Sequence, residues 1–457
     1  MKLLPAAIAA LAATAVASPA VGSAGDFPAP RYYLDLDAPA LDRWAPLVDA
    51  TLDLHGWNSS FGVVAEYLRE EVMPLEAFRR VDAELEAAGL ALLGMNYMEE
   101  LHGILAAAKR RGHDDLTTGM LVFLQFFYEF VMECTGIVAQ DASGIVTHGR
   151  NMDIHLLLTN LTAEVTWVKE GKAFVTSTQF LGHLGIHTGM RLGGGWSAQI
   201  NQRTKLELGP WGWDKTVVGH NLLALLRGNR SPGFILREAL MEVSDFAGAV
   251  PRLSSVKSDS PMYFILAGAG RSEGAVITRS REGLAPSPGN TSAQRMLSEQ
   301  RYLVQTNWDT WIPVDEEECR DAVHVFPQKL DDACSRVLRL LFGMDQGGCA
   351  AICGKFSDGR RKAAVQGMQK LAVSDISFDS VLEVLSTPPV LDPWTIFTSL
   401  MRPATEEYRT TVRAQAPRVA ARQRGQSEQG LQIAAIQVFR RLVDLGEWLR
   451  AQEEVIV

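Results

Sequence analysis

The sequence predicts an α+β fold in which β-sheets are covered by helices, and three observations carry that prediction. Helical periodicity runs through residues 25–115, short β-branched strands follow Cys134, and helical periodicity returns over 217–250 before strands resume. The composition suits a globular chain: of 457 residues, 47% are hydrophobic and 21% charged. A net charge of -9, with 44 Lys+Arg against 53 Asp+Glu, gives no electrostatic footprint for a nucleic-acid partner. No internal repeat is present. The length suits two or three average domains, or one large enzyme domain with appendages.

Taken in order, Met1 and Lys2 open an apolar run from Leu3 to Ala20, followed by small residues at Ser23 and Ala24. That is the pattern of a secretory signal peptide over 1–24, and Pro5 and Pro19 argue against a permanent span. Sequons at Asn58, Asn160, Asn229 and Asn290 are candidate glycan acceptors on the same secretory route. Residues 25–133 are expected to be mostly helical. Phe61–Val72 is amphipathic, Leu75–Leu93 keeps apolar positions at helical spacing, and the apolar Leu116–Met132 suits a buried helix better than a membrane span.

Strands are expected at Thr135–Ala139, Val165–Val168, Ala173–Thr178 and Ser197–Asn201, and again at Met262–Leu266, Ala275–Thr278 and Tyr302–Thr306. Residues 313–357 look like an insertion. Phe378–Leu400 holds a short helix and then a strand, and 405–457 is expected to form a C-terminal helical extension. Of the five cysteines, Cys319, Cys334, Cys349 and Cys353 cluster and can pair in an oxidising compartment, while Cys134 stands apart. No histidine lies close to Cys349 and Cys353, so neither a metal nor a cofactor is expected.

The chemistry concentrates at Cys134. This residue starts an apolar strand, a Gly-bounded turn follows at Asp141–Gly144, and a returning strand carries Arg150 and Asp153. A hairpin of that length brings the three side chains together. A guanidinium favours the thiolate, and a carboxylate can orient an amine. Spacing leaves a bland alternative open, in which Cys134 is a buried strand thiol and Arg150–Asp153 a surface pair.

The segment CTGIVAQDASGIVTHGRNMD resembles the cleavage site of the acid ceramidase/N-acylethanolamine acid amidase family. PRYYLDLDAPALDRWAPL and FYEF resemble that family's α chain. FLGHLGIHTG, WSAQINQR, YFILAGAGRSEGAVITRSR, YLVQTNWDTW, DGRRKAA and VLSTPPVLDPWTIFTSLM resemble its β chain, in order. The likeness spans most of residues 29–402. It implies a four-layer αββα N-terminal-nucleophile hydrolase, with self-cleavage between Glu133 and Cys134. That cut would free a helical α chain (25–133) from a β chain (134–404). The thiol of Cys134 would attack an amide carbonyl, with its own α-amine as base, since an α-amine titrates near pH ~8.

By the same resemblance Arg150 and Asp153 hold that amine and thiol. Asn307 donates to the oxyanion, a contact typically worth about 3–4 kcal/mol of barrier. Asn201 and Arg203 lie near the same centre, and Arg360 matches an arginine that follows paired acidic residues in the family. The implied substrate is a lipid amide. The motifs NMD, LSTPPVL and PMYFIL lean towards ceramide, whereas AQD and GPWGWDK lean towards acylethanolamines. The implied setting is lysosomal or secreted, with an acidic optimum and transient contact with a membrane surface.

The chain departs from the family at several points. Gln202 stands where the family has Glu, Glu133 occupies an apolar position, Gly359 replaces one acidic residue, and Ile154-His155 replaces an aromatic. No cysteine precedes Cys134, so the two chains must hold together by packing alone. The competing readings are a bile-salt or penicillin-type acylase, and a lipid-binding relative that fails to cut itself.

Overall fold

The computed structural model describes residues 25–126, 133–154, 156–203, 215–288, 294–297, 301–311 and 359–413, with 443, 444 and 447. The proposed signal segment, Asn290, the insertion 313–357 with its four cysteines, the Trp-rich stretch after Arg203 and nearly all of the tail lie outside the described residues.

Two sheets face each other, their strands numbered in chain order. The first contains β1 (Phe27–Pro28), β3 (Glu133–Gln140), β4 (Val146–Asp153), β12 (Tyr302–Gln305), β13 (Thr395–Arg402) and β14 (Glu407–Val412), in the order β1-β14-β13-β4-β3-β12. The second contains β2 (Arg31–Asp35), β5 (Thr162–Lys169), β6 (Lys172–Phe180), β7 (Thr188–Arg191), β8 (Trp196–Gln202), β9 (Met262–Gly268), β10 (Gly274–Arg279) and β11 (Gln294–Met296). It runs in the order β11-β10-β9-β8-β7-β6-β5-β2. Neighbours are antiparallel throughout, except that β2 lies parallel to β5.

Helices cover both outer faces. The N-terminal segment supplies α1 (Ala45–His55), α2 (Phe61–Tyr67), α3 (Leu75–Arg80), α4 (Asp82–Leu93), α5 (Met95–Arg110) and α6 (Thr118–Gln125). Then α7 (Lys215–Leu226), α8 (Pro232–Glu242) and α9 (Phe246–Ser255) follow β8, and α8 and α9 pack on the second sheet. Last, α10 (Gly359–Lys370) and α11 (Phe378–Leu385) pack on the first.

Strand alternation separates the layers. Ile137 and Ala139 join Ala364, Val381 and Leu385 beneath α10 and α11, whereas Val138 meets Tyr263 and Ile265 between the sheets. The result is the expected four-layer αββα arrangement. Local chemistry sets several helix starts. Thr117 caps α6 through Met120 N, Asp245 caps α9 through Gly248 N, and Ser377 forms a capping box with Ser380.

One expectation needs correction. Residues 407–412 are a strand paired with both β13 and β1, so the catalytic unit runs beyond 404 and any helical extension begins after 413. The Arg-rich sequence hid a period of two in which Thr410 and Val412 point inwards. The α segment is mostly helical as expected, and its two short strands join the sheets, β1 edging one and β2 the other. A cut at Glu133 would therefore break the covalent link while leaving those ladders hydrogen-bonded, so it does not by itself release the α chain. The described part of the apolar run, 116–126, is buried as expected, every residue of α6 included, and 127–132 lie outside the described residues. Among the described residues no helix is long and apolar enough to cross a membrane.

Candidate active site

The hairpin β3–β4 brings Cys134 and Arg150 onto one face as expected, whereas Asp153, one position out of phase, faces the other way and meets Arg360. Asp141 folds the turn, accepting from Ser143 Oγ at 2.6 Å and Ile145 N at 3.0 Å, and Gly144 takes the positive φ of 93° that a side chain would resist. The register pairs Cys134 with Met152 and Gly136 with Arg150. Since side chains alternate, Cys134, Gly136, Arg150 and Met152 share the face turned towards the second sheet. Gly136 is required there, because a Cβ would come within 2.7 Å of Gln199 Nε2.

Cys134 is fully buried. Its Sγ accepts from Arg150 Nη2 at 3.0 Å and lies 3.9 Å from Met152 Sδ. Burial pushes the thiol above its ordinary value, and Arg150 offsets only part of that rise. In the uncut chain Cys134 is thus a thiol, although proximity to Arg150 had suggested a thiolate. Arg150, itself fully buried, also donates to the carbonyls of His187 and Ile200 and to Thr188 Oγ1. It is pinned from both sheets.

The backbone nitrogen of Cys134 donates to Asn307 Oδ1 at 2.9 Å. Arg360 Nη2 donates to the same oxygen at 3.0 Å, and Arg360 Nη1 lies 2.5 Å from Asp153 Oδ2. Thr395 Oγ1 donates to the other Asp153 oxygen at 2.6 Å. Asp153 thus reaches the Cys134 nitrogen through Arg360 and Asn307. Burial raises the Asp153 carboxyl above the usual carboxylate range, with Arg360 pulling it back. Asn307 Nδ2, expected to serve an oxyanion, donates to the Gln202 carbonyl at 2.8 Å in the uncut chain.

Asn201 also belongs to this centre: its Nδ2 donates to Gln305 O at 3.0 Å, Thr306 O at 3.2 Å and Cys134 O at 3.4 Å. Arg203 is engaged beside it, donating from Nε to Asp309 Oδ1 at 2.7 Å in a buried ion pair to which Tyr263 OH adds a 2.6 Å bond. That clamp fixes the loop carrying Asn307. Asp309, Tyr263, Thr188 and Thr395 were not singled out from the sequence. Each lies inside a segment that carries the family resemblance, Asp309 two residues past Asn307, Thr188 in FLGHLGIHTG, Tyr263 at the head of YFILAGAG and Thr395 in LDPWTIF, but no spacing rule tied them to Cys134.

The sequons divide. Asn58 is exposed, and half-buried Asn160 donates from Nδ2 to Ser59 O at 2.8 Å. Asn229 is a correction: it is buried, and the nitrogen that would carry a glycan donates to Ser258 O at 2.9 Å. The folded protein has no room for a sugar there.

Comparison with known proteins finds relatives that hydrolyse N-acyl amides. No family model matches the chain. The N-acylethanolamine-hydrolyzing acid amidase of Oryctolagus cuniculus is 30% identical over 302 residues, covering 65% of this chain and 68% of the relative. That of Cavia porcellus is 27% identical over 387 residues, covering 84% and 90%. The acid ceramidase of Macaca fascicularis is 28% identical over 406 residues, covering 84% and 86%. A solved Caenorhabditis elegans N-acylethanolamine-hydrolyzing acid amidase ortholog superposes with a TM-score of 0.43 at 27% identity, covering 59% of this chain and 93% of that one. With most of their length shared and Cys134 set at the head of the central hairpin, the chain belongs to the family of amide hydrolases that includes acid ceramidase and N-acylethanolamine-hydrolyzing acid amidase.

Proposed function

We propose that this chain is a self-cleaving amidase of long-chain N-acyl lipids, with Cys134 as its nucleophile. The observation that carries the proposal is the pairing at Cys134: its sulfur rests on Arg150 while its nitrogen rests on Asn307, which Arg360 ties to Asp153. In processing, Sγ attacks the Glu133 carbonyl carbon and the C–N bond breaks. A Glu133 thioester forms on sulfur and an α-amine is freed. Water then hydrolyses the thioester, leaving a Glu133 carboxylate and the Cys134 thiol.

In turnover, the freed amine takes the thiol proton and the thiolate attacks the substrate amide. The leaving amine departs protonated, and water releases the fatty acid. Once the cut frees the strand end, Asn307 Nδ2 can exchange the Gln202 carbonyl for the oxyanion, while its Oδ1 keeps hold of the amine. The α and β chains of one precursor remain partners throughout, and the enzyme travels the secretory pathway to the lysosome or the exterior.

Ceramide is the preferred substrate by the NMD, LSTPPVL and PMYFIL segments. The acylethanolamine reading is favoured by the 30% identity to the rabbit amidase. The test is expression through a secretory pathway, incubation at mildly acidic pH and sequencing of the new N-termini, followed by parallel assays on a ceramide and an acylethanolamine. A chain starting Cys-Thr-Gly that is lost in Cys134→Ala supports the mechanism, and the faster substrate decides the class. An uncut, inactive chain would instead favour a lipid binder disabled by Gln202 or Glu133.

A further inference from the structure

A line of polar side chains runs between the two sheets behind Cys134, where apolar packing would be the ordinary solution. Ser197, His148, Gln199 and Asn201 are all completely buried. The ring nitrogens of His148 sit 3.0 Å from Ser197 Oγ (Nδ1) and 3.1 Å from Gln199 Oε1 (Nε2). Gln199 Nε2 donates to Asn201 Oδ1 at 2.7 Å, and Asn201 Nδ2 donates to the carbonyls of Gln305, Thr306 and Cys134. The gap over Gly136 gives the Gln199 side chain its passage, and Gln199 Nε2 also lies 3.4 Å from Thr135 O.

Each link in this line has a direction. Gln199 presents an oxygen to His148, so Nε2 of His148 must be the donor. A neutral ring then leaves Nδ1 to accept from Ser197, whose hydroxyl also lies 3.5 Å from Ala267 O. Burial holds the ring neutral, its pKa lowered to about 3, with Arg150 also disfavouring the cation. Donation from His148 turns the NH2 of Gln199 towards Asn201, and this turns the NH2 of Asn201 towards three carbonyls. Reversing any amide would set oxygen against oxygen at the strand end that carries Asn307 and at the carbonyl of Cys134.

We propose that His148 is a positioning residue for the Cys134 centre: through Gln199 it sets the orientation of Asn201, and Asn201 joins the strand end bearing Asn307 to Cys134. This rests on the reading of Cys134 as nucleophile, and the experiment separates the two claims. His148 touches neither the reacting atoms nor the substrate, so its loss is read in kcat and leaves KM nearly unchanged.

The test uses full-length, secreted and processed protein, with a fluorogenic long-chain N-acyl amide as probe. The value of kcat is normalised to the amount of chain starting Cys-Thr-Gly, and for Cys134→Ala to total secreted chain. His148→Leu and Gln199→Met each lower kcat at least ten-fold with KM within two-fold. His148→Gln, which keeps an N–H donor, recovers at least a third of the wild-type kcat. Val138→Ala, a cavity on the same inward face directly opposite His148, lowers Tm without changing kcat. The relay is overturned if Gln199→Met leaves kcat within two-fold. It is equally overturned if His148→Gln is no better than His148→Leu. Should His148→Leu fail to fold, Gln199→Met decides alone. Cys134→Ala is inactive in the same assay, and activity surviving there would remove the nucleophile reading whatever the relay variants do.

Discussion

At the scale of single residues, two opposing effects meet on the Cys134 sulfur. Burial disfavours the thiolate, and the Arg150 guanidinium 3.0 Å away favours it. Only a planar fork can reach the sulfur together with the His187 and Ile200 carbonyls. Arg150→Lys keeps the charge and loses the fork. We expect it to lower kcat/KM by about a hundred-fold, or ~2.7 kcal/mol. The rate of thiol alkylation in the processed enzyme should also shift to higher pH. An alkylation profile identical to wild type would refute the role given to Arg150. Burial decides the sequons just as directly: Asn58→Gln should remove one glycosidase-sensitive step in gel mobility, and Asn229→Gln none.

Among elements, the question is what joins the α segment to the rest once Glu133 is cut. Besides the β1–β14 and β2–β5 ladders, α5 and α8 meet through a buried ion pair, in which Glu100 accepts from Arg237 Nη2 at 2.7 Å and Nη1 at 2.9 Å. Trp44 Nε1 and Arg43 Nη1 donate to the same carboxylate at 2.8 and 2.9 Å. Burial would raise the Glu100 carboxyl, yet Arg237 and these donors bring it below its ordinary value. Replacing one partner leaves Arg237 without its counter-ion in the interior, a loss of about 3–5 kcal/mol. Processed wild-type chains should therefore co-elute in gel filtration without a disulfide, and Glu100→Leu should let them separate at lower denaturant. Separation of the wild-type chains in plain buffer would disprove the interlock.

Over the whole molecule, stability in acid is set by groups that pull in opposite directions. Burial lowers His148 to about 3, His183 to about 4, and His187 well below its ordinary value. Each is neutral when folded and takes a proton when unfolded, so each loses stability as pH falls from ~6.5 towards its folded value. Burial raises Asp153, Asp259 and Glu164. The folded state holds these protons more tightly, which adds stability as pH falls from neutrality. The two sets oppose each other as pH falls from neutrality, and at lower pH Glu100, held below its ordinary value by Arg237, adds to the loss. His187→Leu removes one penalty. Between pH 6.5 and 4.5 its unfolding free energy should fall less steeply than wild type, by up to about 1.4 kcal/mol per pH unit. Parallel curves for the two proteins would show that His187 titrates alike in both states.

Much of this architecture could be read along the chain, because the decisive patterns are local. The short strands at 135–139, 197–201 and 262–266, the Gly-bounded turn at Asp141–Gly144 and the buried helix after Leu116 follow from residue type and neighbouring side chains. Strand parity puts Cys134 and Arg150 on one face. Their distant partners were recoverable only as family motifs: Asn307 meets Cys134 across 173 residues, and Arg360 meets Asp153 across 207. His148 and Thr395 lie inside those motifs without a role that their spacing could assign, and no strand was read at β1, β2 or β14. Hydrophobic periodicity specifies which face of a strand is buried, but not which strand from elsewhere lies against it. That choice belongs to the packing of two sheets, where closing long loops is offset by joint burial, and there a histidine becomes part of a site it never touches.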